Sequence, residues 1–169
     1  MVADTNEHRG AFPADRPVDG LRMDHDMLRK LAQAYYDNDS LAAKISAAEQ
    51  ILMLLETHSL LEEQVFYPAV RQVDASMISH FEEAHHKIDD IMATIKRISL
   101  KDGKALPMFE QMLEMTLDHI NEEENAFFPK LDNARIDMTE LGEQMQIFEA
   151  TAVQIQAQAT AKPRHHPRH

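Results

Sequence analysis

His58-Ser59-Leu60-Leu61-Glu62-Glu63-Gln64-Val65-Phe66-Tyr67-Pro68 and His119-Ile120-Asn121-Glu122-Glu123-Glu124-Asn125-Ala126-Phe127-Phe128-Pro129 are one phrase written twice. The shared pattern is His, three residues, Glu-Glu, three residues, an aromatic and Pro. Residues four apart share one face of a helix. His58 therefore stands beside Glu62, and His119 beside Glu123. Each segment offers an imidazole nitrogen and a carboxylate oxygen in one direction, and two such segments facing each other would make a dinuclear metal site.

The pattern around the two phrases is helical throughout. A first helix is expected from Val18–Leu21, with Leu21, His25, Leu28, Ala32 and Tyr35 on one face. Asn38-Asp39-Ser40 is a turn and cap signal. A second helix, from Leu41 to Tyr67, carries Ile51, Leu54, Leu55, His58, Leu61, Glu62 and Val65 inward. It should end or kink at Tyr67-Pro68, because the residue before proline disfavours the α conformation. A third, from Ala75 to Leu100, has the stripe Ile78, Phe81, His85, Ile88, Met92, Ile95. Asp102-Gly103 breaks the chain, and Pro107 suits the first turn of a fourth helix. That helix carries Phe109, Met112, Met115, Thr116, His119, Glu123 and Phe127 before Pro129. A fifth segment opens at Asp137 or Thr139 and runs to Thr160, with Leu141, Met145, Phe148 and Val153 on one side.

The repeat unit is thus a helix pair, and the expected fold is all-α: an up-down four-helix bundle. The expected organisation is a flexible N-terminal arm over 1–17, the bundle over 18–132, a C-terminal helix packing on it over 133–160, and a disordered basic, histidine-bearing tail over 161–169.

Composition narrows the function classes. The chain has 169 residues, a formal net charge of −12 and no cysteine. About 100–200 residues is usual for one domain. A nucleic-acid partner is not expected, since phosphate binding needs a basic face. Without cysteine there are no disulfides, thiolate metal sites, iron–sulfur clusters or thiol catalysis. No apolar run reaches the roughly 18 residues of a membrane span. The stretch from Met1 to Gly20 lacks the apolar core of a signal peptide, so a cytoplasmic protein is expected.

The ten histidines are not equivalent. His8, His165, His166 and His169 fall in the expected arms and read as solvated. His25, His58, His85 and His119 each lie on the apolar stripe of their own helix. One histidine on such a stripe is ordinarily a hydrogen-bonded core residue. Four of them, one per helix and two paired with glutamates, are hard to explain by packing. A buried carboxylate is costly unless paired, yet Glu62 and Glu123 stand among Leu, Val and Phe with no inward Lys or Arg on their stripes. A metal pair would neutralise both and accept the imidazoles. On the third helix His85 aligns with Phe81, Ile88 and Met92, whereas His86 aligns with Glu82, Asp89 and Asp90 on a solvated face. His80 sits at the stripe's edge. Glu63 and Glu124 point about 100° away from the first glutamates and read as helix-face solvation, with a ligand role as the lesser alternative. The eleven methionines read as core filler rather than a copper site.

On these residues the chain resembles the hemerythrin-like, HHE cation-binding family. The resemblance rests on His25 in Met23-Asp24-His25-Asp26, the His58/Glu62 and His119/Glu123 phrases, and His85 in Glu83-Ala84-His85. It implies a four-helix bundle around a non-haem di-iron centre bridged by oxo or hydroxo. His25, His58, His85 and His119 would be terminal ligands, and Glu62 and Glu123 would bridge the two irons. Oxygen-carrying members have two histidines four apart on the third helix; here Phe81 and Asp89 flank His85 at those distances. Their last carboxylate is an aspartate five residues after the histidine, where this chain has Glu123 at four and Glu124 at five. Asp89, Glu63, Glu124 or a water could fill the missing position.

Imidazole and carboxylate donors suit iron, manganese or zinc. The first functional expectation is a di-iron protein that binds or senses dioxygen, nitric oxide or iron. The second is a di-iron enzyme with peroxidase, catalase-like or nitric-oxide-reducing activity, and the third a structural bundle holding zinc.

Overall fold

The computed structural model describes residues 11–161, with side chains through residue 158. The histidines at 8, 165, 166 and 169, and residues 162–169 of the tail expected over 161–169, lie outside the described residues. Among the described residues there is no strand.

The first helix, α1 (Pro17–Asp37), starts on a proline whose missing N–H costs nothing in the first turn. Ser40 caps α2 (Leu41–Leu61) by accepting a hydrogen bond from the Ala43 N–H. A π-helical turn over Glu62–Phe66 joins α2 to the short α3 (Tyr67–Val70), followed by a 3₁₀ turn over Arg71–Val73. Asp74 caps α4 (Ala75–Ile98). Ser99 ends that helix with φ 79°, and Gly103 carries the connection at φ 80°. Then α5 (Leu106–Glu122) passes through a second π-helical turn, Glu123–Phe127, into α6 (Phe128–Leu131). Asp137 accepts from the Glu140 N–H at the start of α7 (Met138–Ala161).

The regular α-helix ends at Leu61, before the expected end or kink at Tyr67-Pro68, and the chain then continues helically to Val73. Proline cannot donate to its i−4 carbonyl and its ring crowds that carbonyl. The π turn absorbs the conflict. Tyr67 donates its N–H to the Glu62 carbonyl five residues back, and Phe128 does the same to Glu123 ahead of Pro129. The extra residue in each turn shifts the helix phase. Phe66 and Tyr67 become buried, while Val65, expected inward, is only half-buried.

The core has two apolar layers. One contains Leu28, Leu55, Ile88 and Met112; the other contains Leu21, Leu61, Phe81 and Phe127. Along α1 and α4 the chain runs from the second layer to the first. Along α2 and α5 it runs the other way, which makes the four rods up-down-up-down. His25, His58, His85 and His119 fall between the layers on all four.

The last stretch before α1 is anchored, although it belongs to the arm expected over 1–17. Phe12 is buried, its carbonyl accepts from Gln146 Nε2 at 2.7 Å, and the Ala14 backbone lies against Gly142 of α7. On α7 itself, Leu141 and Met145 are buried, so the helix closes the second layer. No helix among the described residues is long and apolar enough to cross a membrane.

Candidate metal centre

Four rods bring the six residues singled out above into one buried cluster. His25, His58, Glu62 and Glu123 offer ligand atoms all within 4.8 Å of one another, and so do Glu62, His85 and His119. His86 is exposed, and exposed His80 pairs with Glu122 at 2.9 Å.

The cluster has two halves. In one, His25 Nε2 faces His58 Nε2 at 3.1 Å; in the other, His85 Nε2 faces His119 Nε2 at 3.0 Å. Glu62 stands between them. Its Oε2 is 3.4 Å from His58 Nε2, and its Oε1 is 3.1 Å from His85 Nε2. Glu123 spans the same gap, with Oε1 at 3.2 Å from His25 Nε2 and Oε2 at 3.7 Å from His119 Nε2.

Three of the four imidazoles are held from behind. His25 Nδ1 donates to Glu124 at 2.6 Å, His58 Nδ1 to Asp24 at 3.0 Å, and His85 Nδ1 to Glu63 at 2.7 Å. Each bond turns Nε2 toward the centre, and a carboxylate behind a ligating imidazole raises its basicity. Arg29 in turn clamps Glu124 through contacts of 2.9 and 3.2 Å. His119 Nδ1 is buried with no hydrogen-bond partner. Its ring reaches a cleft of ≈ 250 Å³ between α4 and α5, whose lining also includes His80, Lys87, Asp118 and Glu122.

These outer carboxylates correct the reading of Glu63 and Glu124 as helix-face solvation. Each reaches an imidazole on a neighbouring helix, and neither enters the inner groups. Asp89 also stays outside those groups. Asp24 and Tyr67 were missed as functional residues. The sequence signal for Asp24 was its place next to His25. Tyr67 counted only as the aromatic before proline.

The electrostatics are those of a site balanced for cations. Burial disfavours the charged form of every group here. Against that penalty, the nearby Glu123 and Glu124 carboxylates still raise His25, and those of Glu62 and Glu63 raise His85 to about 10. The Glu62 charge, together with the Asp24 carboxylate behind the ring, likewise pushes His58 well up. Glu62 is held well below the carboxylate range despite its burial, chiefly by the His58 charge. Glu123 is pushed up by burial and by Glu62. Glu124, opposed by burial, is pulled down to about 2 by His25 and Arg29. Burial beside Glu123 and Glu62 keeps the proton firmly on the Tyr67 hydroxyl. Without a metal, protons on His25, His58 and His85 neutralise the buried carboxylates.

The donor set fits a metal pair. Glu62 Oε2 and Glu123 Oε1 are buried without a hydrogen-bond partner, which is costly unless a cation takes them. Ligands about 2.1 Å from one ion and at right angles to each other stand roughly 3.0 Å apart. Five of the spacings within the halves, at 3.0 to 3.4 Å, match that edge length; His25–Glu62, His119–Glu62 and His119–Glu123 are wider, at 3.7 to 4.0 Å.

Residues 16–131 match the family model of the hemerythrin HHE cation binding domain. No curated protein and no solved structure matches the chain.

Proposed function

Because the chain belongs to the hemerythrin HHE cation-binding domain family, we propose that it is a non-haem di-iron protein that binds or senses a small ligand such as dioxygen or nitric oxide. The observation that carries this reading is the pair of inward-facing Nε2 couples with two carboxylates spanning them. One metal would be held by His25 and His58, the other by His85 and His119, with Glu62 and Glu123 bridging. Iron there would supply one-electron redox chemistry and coordination positions open to small ligands.

The protein residues have separate tasks. Glu124, Asp24 and Glu63 fix the tautomer and aim of three imidazoles. The apolar layers exclude bulk water and keep the donors dry, which strengthens their hold on a cation. Bringing in metal requires that the imidazole protons leave, so loading releases protons. The cleft beside His119 offers those protons and small solutes a path to the surface.

The test is elemental analysis of protein purified without metal-affinity steps, paired with an absorption spectrum in air. About two irons per chain with a near-ultraviolet charge-transfer band is the expected result. Zinc, or a folded helical protein without metal, would refute the redox reading.

A further inference from the structure

We propose that Tyr67 is a seventh protein ligand, binding the ion held by His85 and His119 through its phenolate oxygen; this rests on the dinuclear reading above. Tyr67 Oη lies 3.2 Å from His85 Nε2, 3.2 Å from His119 Nε2, 3.3 Å from Glu62 Oε1 and 2.6 Å from Glu123 Oε2. Those four atoms are the donors of one half of the cluster. An oxygen in contact with all four donors stands at a further corner of the same polyhedron, at the edge length that ligands of one ion share.

The backbone explains how it gets there. In an α-helix of about 100° per residue, Tyr67 would point roughly 140° away from Glu62. The π-helical turn replaces the i→i+4 bond with i→i+5, and Tyr67 N–H bonds the Glu62 carbonyl. Tyr67 is thereby brought round to the side of Glu62, and its hydroxyl lies 3.3 Å from Glu62 Oε1. Single π turns inside α-helices recur at functional sites, and this one places a second oxygen donor beside the first.

The repeat supplies an internal control. Phe128 occupies the same position after the second π turn, with its N–H on the Glu123 carbonyl. It has no oxygen. Its ring lies parallel to His25, with centroids 6.0 Å apart and planes inclined by 7°. The two halves are therefore unequal. The ion at His85 and His119 has five protein donors, and the ion at His25 and His58 has four. None of the residues suited by sequence to the missing ligand position reaches the inner donors, and Tyr67 does.

Binding breaks the phenol O–H bond: the oxygen pair goes to the ion and the proton to the buffer. A phenolate on ferric iron absorbs in the visible and gives resonance-enhanced ring vibrations, which imidazole and carboxylate ligands do not. The experiment loads metal-free protein with ferrous salt in air, so that dioxygen oxidises the iron. Iron content, the visible spectrum and the resonance Raman spectrum are then recorded for the unaltered protein, for the same protein grown on ring-deuterated tyrosine, and for Tyr67→Phe. We expect a visible band whose Raman lines shift on tyrosine deuteration, and loss of that band in Tyr67→Phe at unchanged iron content. Two irons per chain without tyrosine-shifted lines would overturn the ligand role and leave the dinuclear reading intact. A band that persists in Tyr67→Phe would do the same. No bound iron in any of the proteins would overturn both. The labelled, unaltered protein decides the matter even if Tyr67→Phe does not fold.

Discussion

Replacing Glu124 by alanine tests whether the metal centre is aimed from behind. The carboxylate accepts the His25 Nδ1 proton at 2.6 Å and is clamped by Arg29. Its acidity, pulled down to about 2, keeps it ionised at any ordinary pH. Alanine removes the acceptor, so His25 is free to rotate or to adopt the other tautomer, and Arg29 is left without its deepest partner. Loss of such an outer carboxylate ordinarily costs about 10–100-fold in metal affinity, or roughly 1.4–2.7 kcal/mol. The ion at His25 and His58 should bear that loss. The ion at His85 and His119, whose outer carboxylate is Glu63, should change much less. The assay is a metal titration against a chelator of known affinity, fitted for two sites. One site weakened about tenfold or more with the other nearly unchanged is the expected outcome. Two unchanged sites would refute the aiming role, and equal weakening of both would refute the assignment of Glu124 to one half.

Glu62→Ala combined with Glu123→Ala should abolish dinuclear binding, while exposed His86→Ala should leave metal content intact; loss of metal in His86→Ala but not in His85→Ala would invert the facing assignment. Metal-free protein should lose stability on the alkaline side. The His85 pKa rises from 6.5 unfolded to about 10 folded, so its contribution is full below about pH 6.5 and disappears as pH rises through about 10. Metal-loaded protein, whose imidazoles carry no Nε2 proton, should lack that slope, and melting temperatures of both forms across this window check it. Gly142→Ala should loosen the N-terminal segment, because a Cβ there would lie 1.8 Å from the Ala14 carbonyl oxygen. If Phe12 is displaced and its bond from Gln146 lost, the cost is roughly 2–4 kcal/mol. That corresponds to about 4–16 °C in the melting temperature, and an unchanged melting curve would show that the contact is dispensable.

The alternation of apolar stripe and cap signals was enough to place five helical rods and to choose His85 over His86, because helix periodicity is a local property of the chain. The six side chains of the buried cluster were legible for the same reason: a polar residue on an apolar stripe announces itself without knowledge of the neighbouring helix. The doubled phrase also carried the pairing of each histidine with its glutamate. The roles of Glu63, Glu124 and Asp24 could not be read this way. Each acts on an imidazole of a different rod, so its meaning depends on how the rods are rotated against one another. Helix periodicity sets Glu63 and Glu124 off the stripe, and that alone leaves their partners undetermined. Tyr67 was hidden by a different cause. Its inward aim comes from a π turn ahead of Pro68, and α-helical periodicity assigns it to another face. The repeat determined that two like segments meet at the core. Only the tertiary structure decided that the hydroxyl of one and the bare ring of the other make the two halves of that core unequal, because phase shifts and contacts between rods do not exist until the bundle is packed.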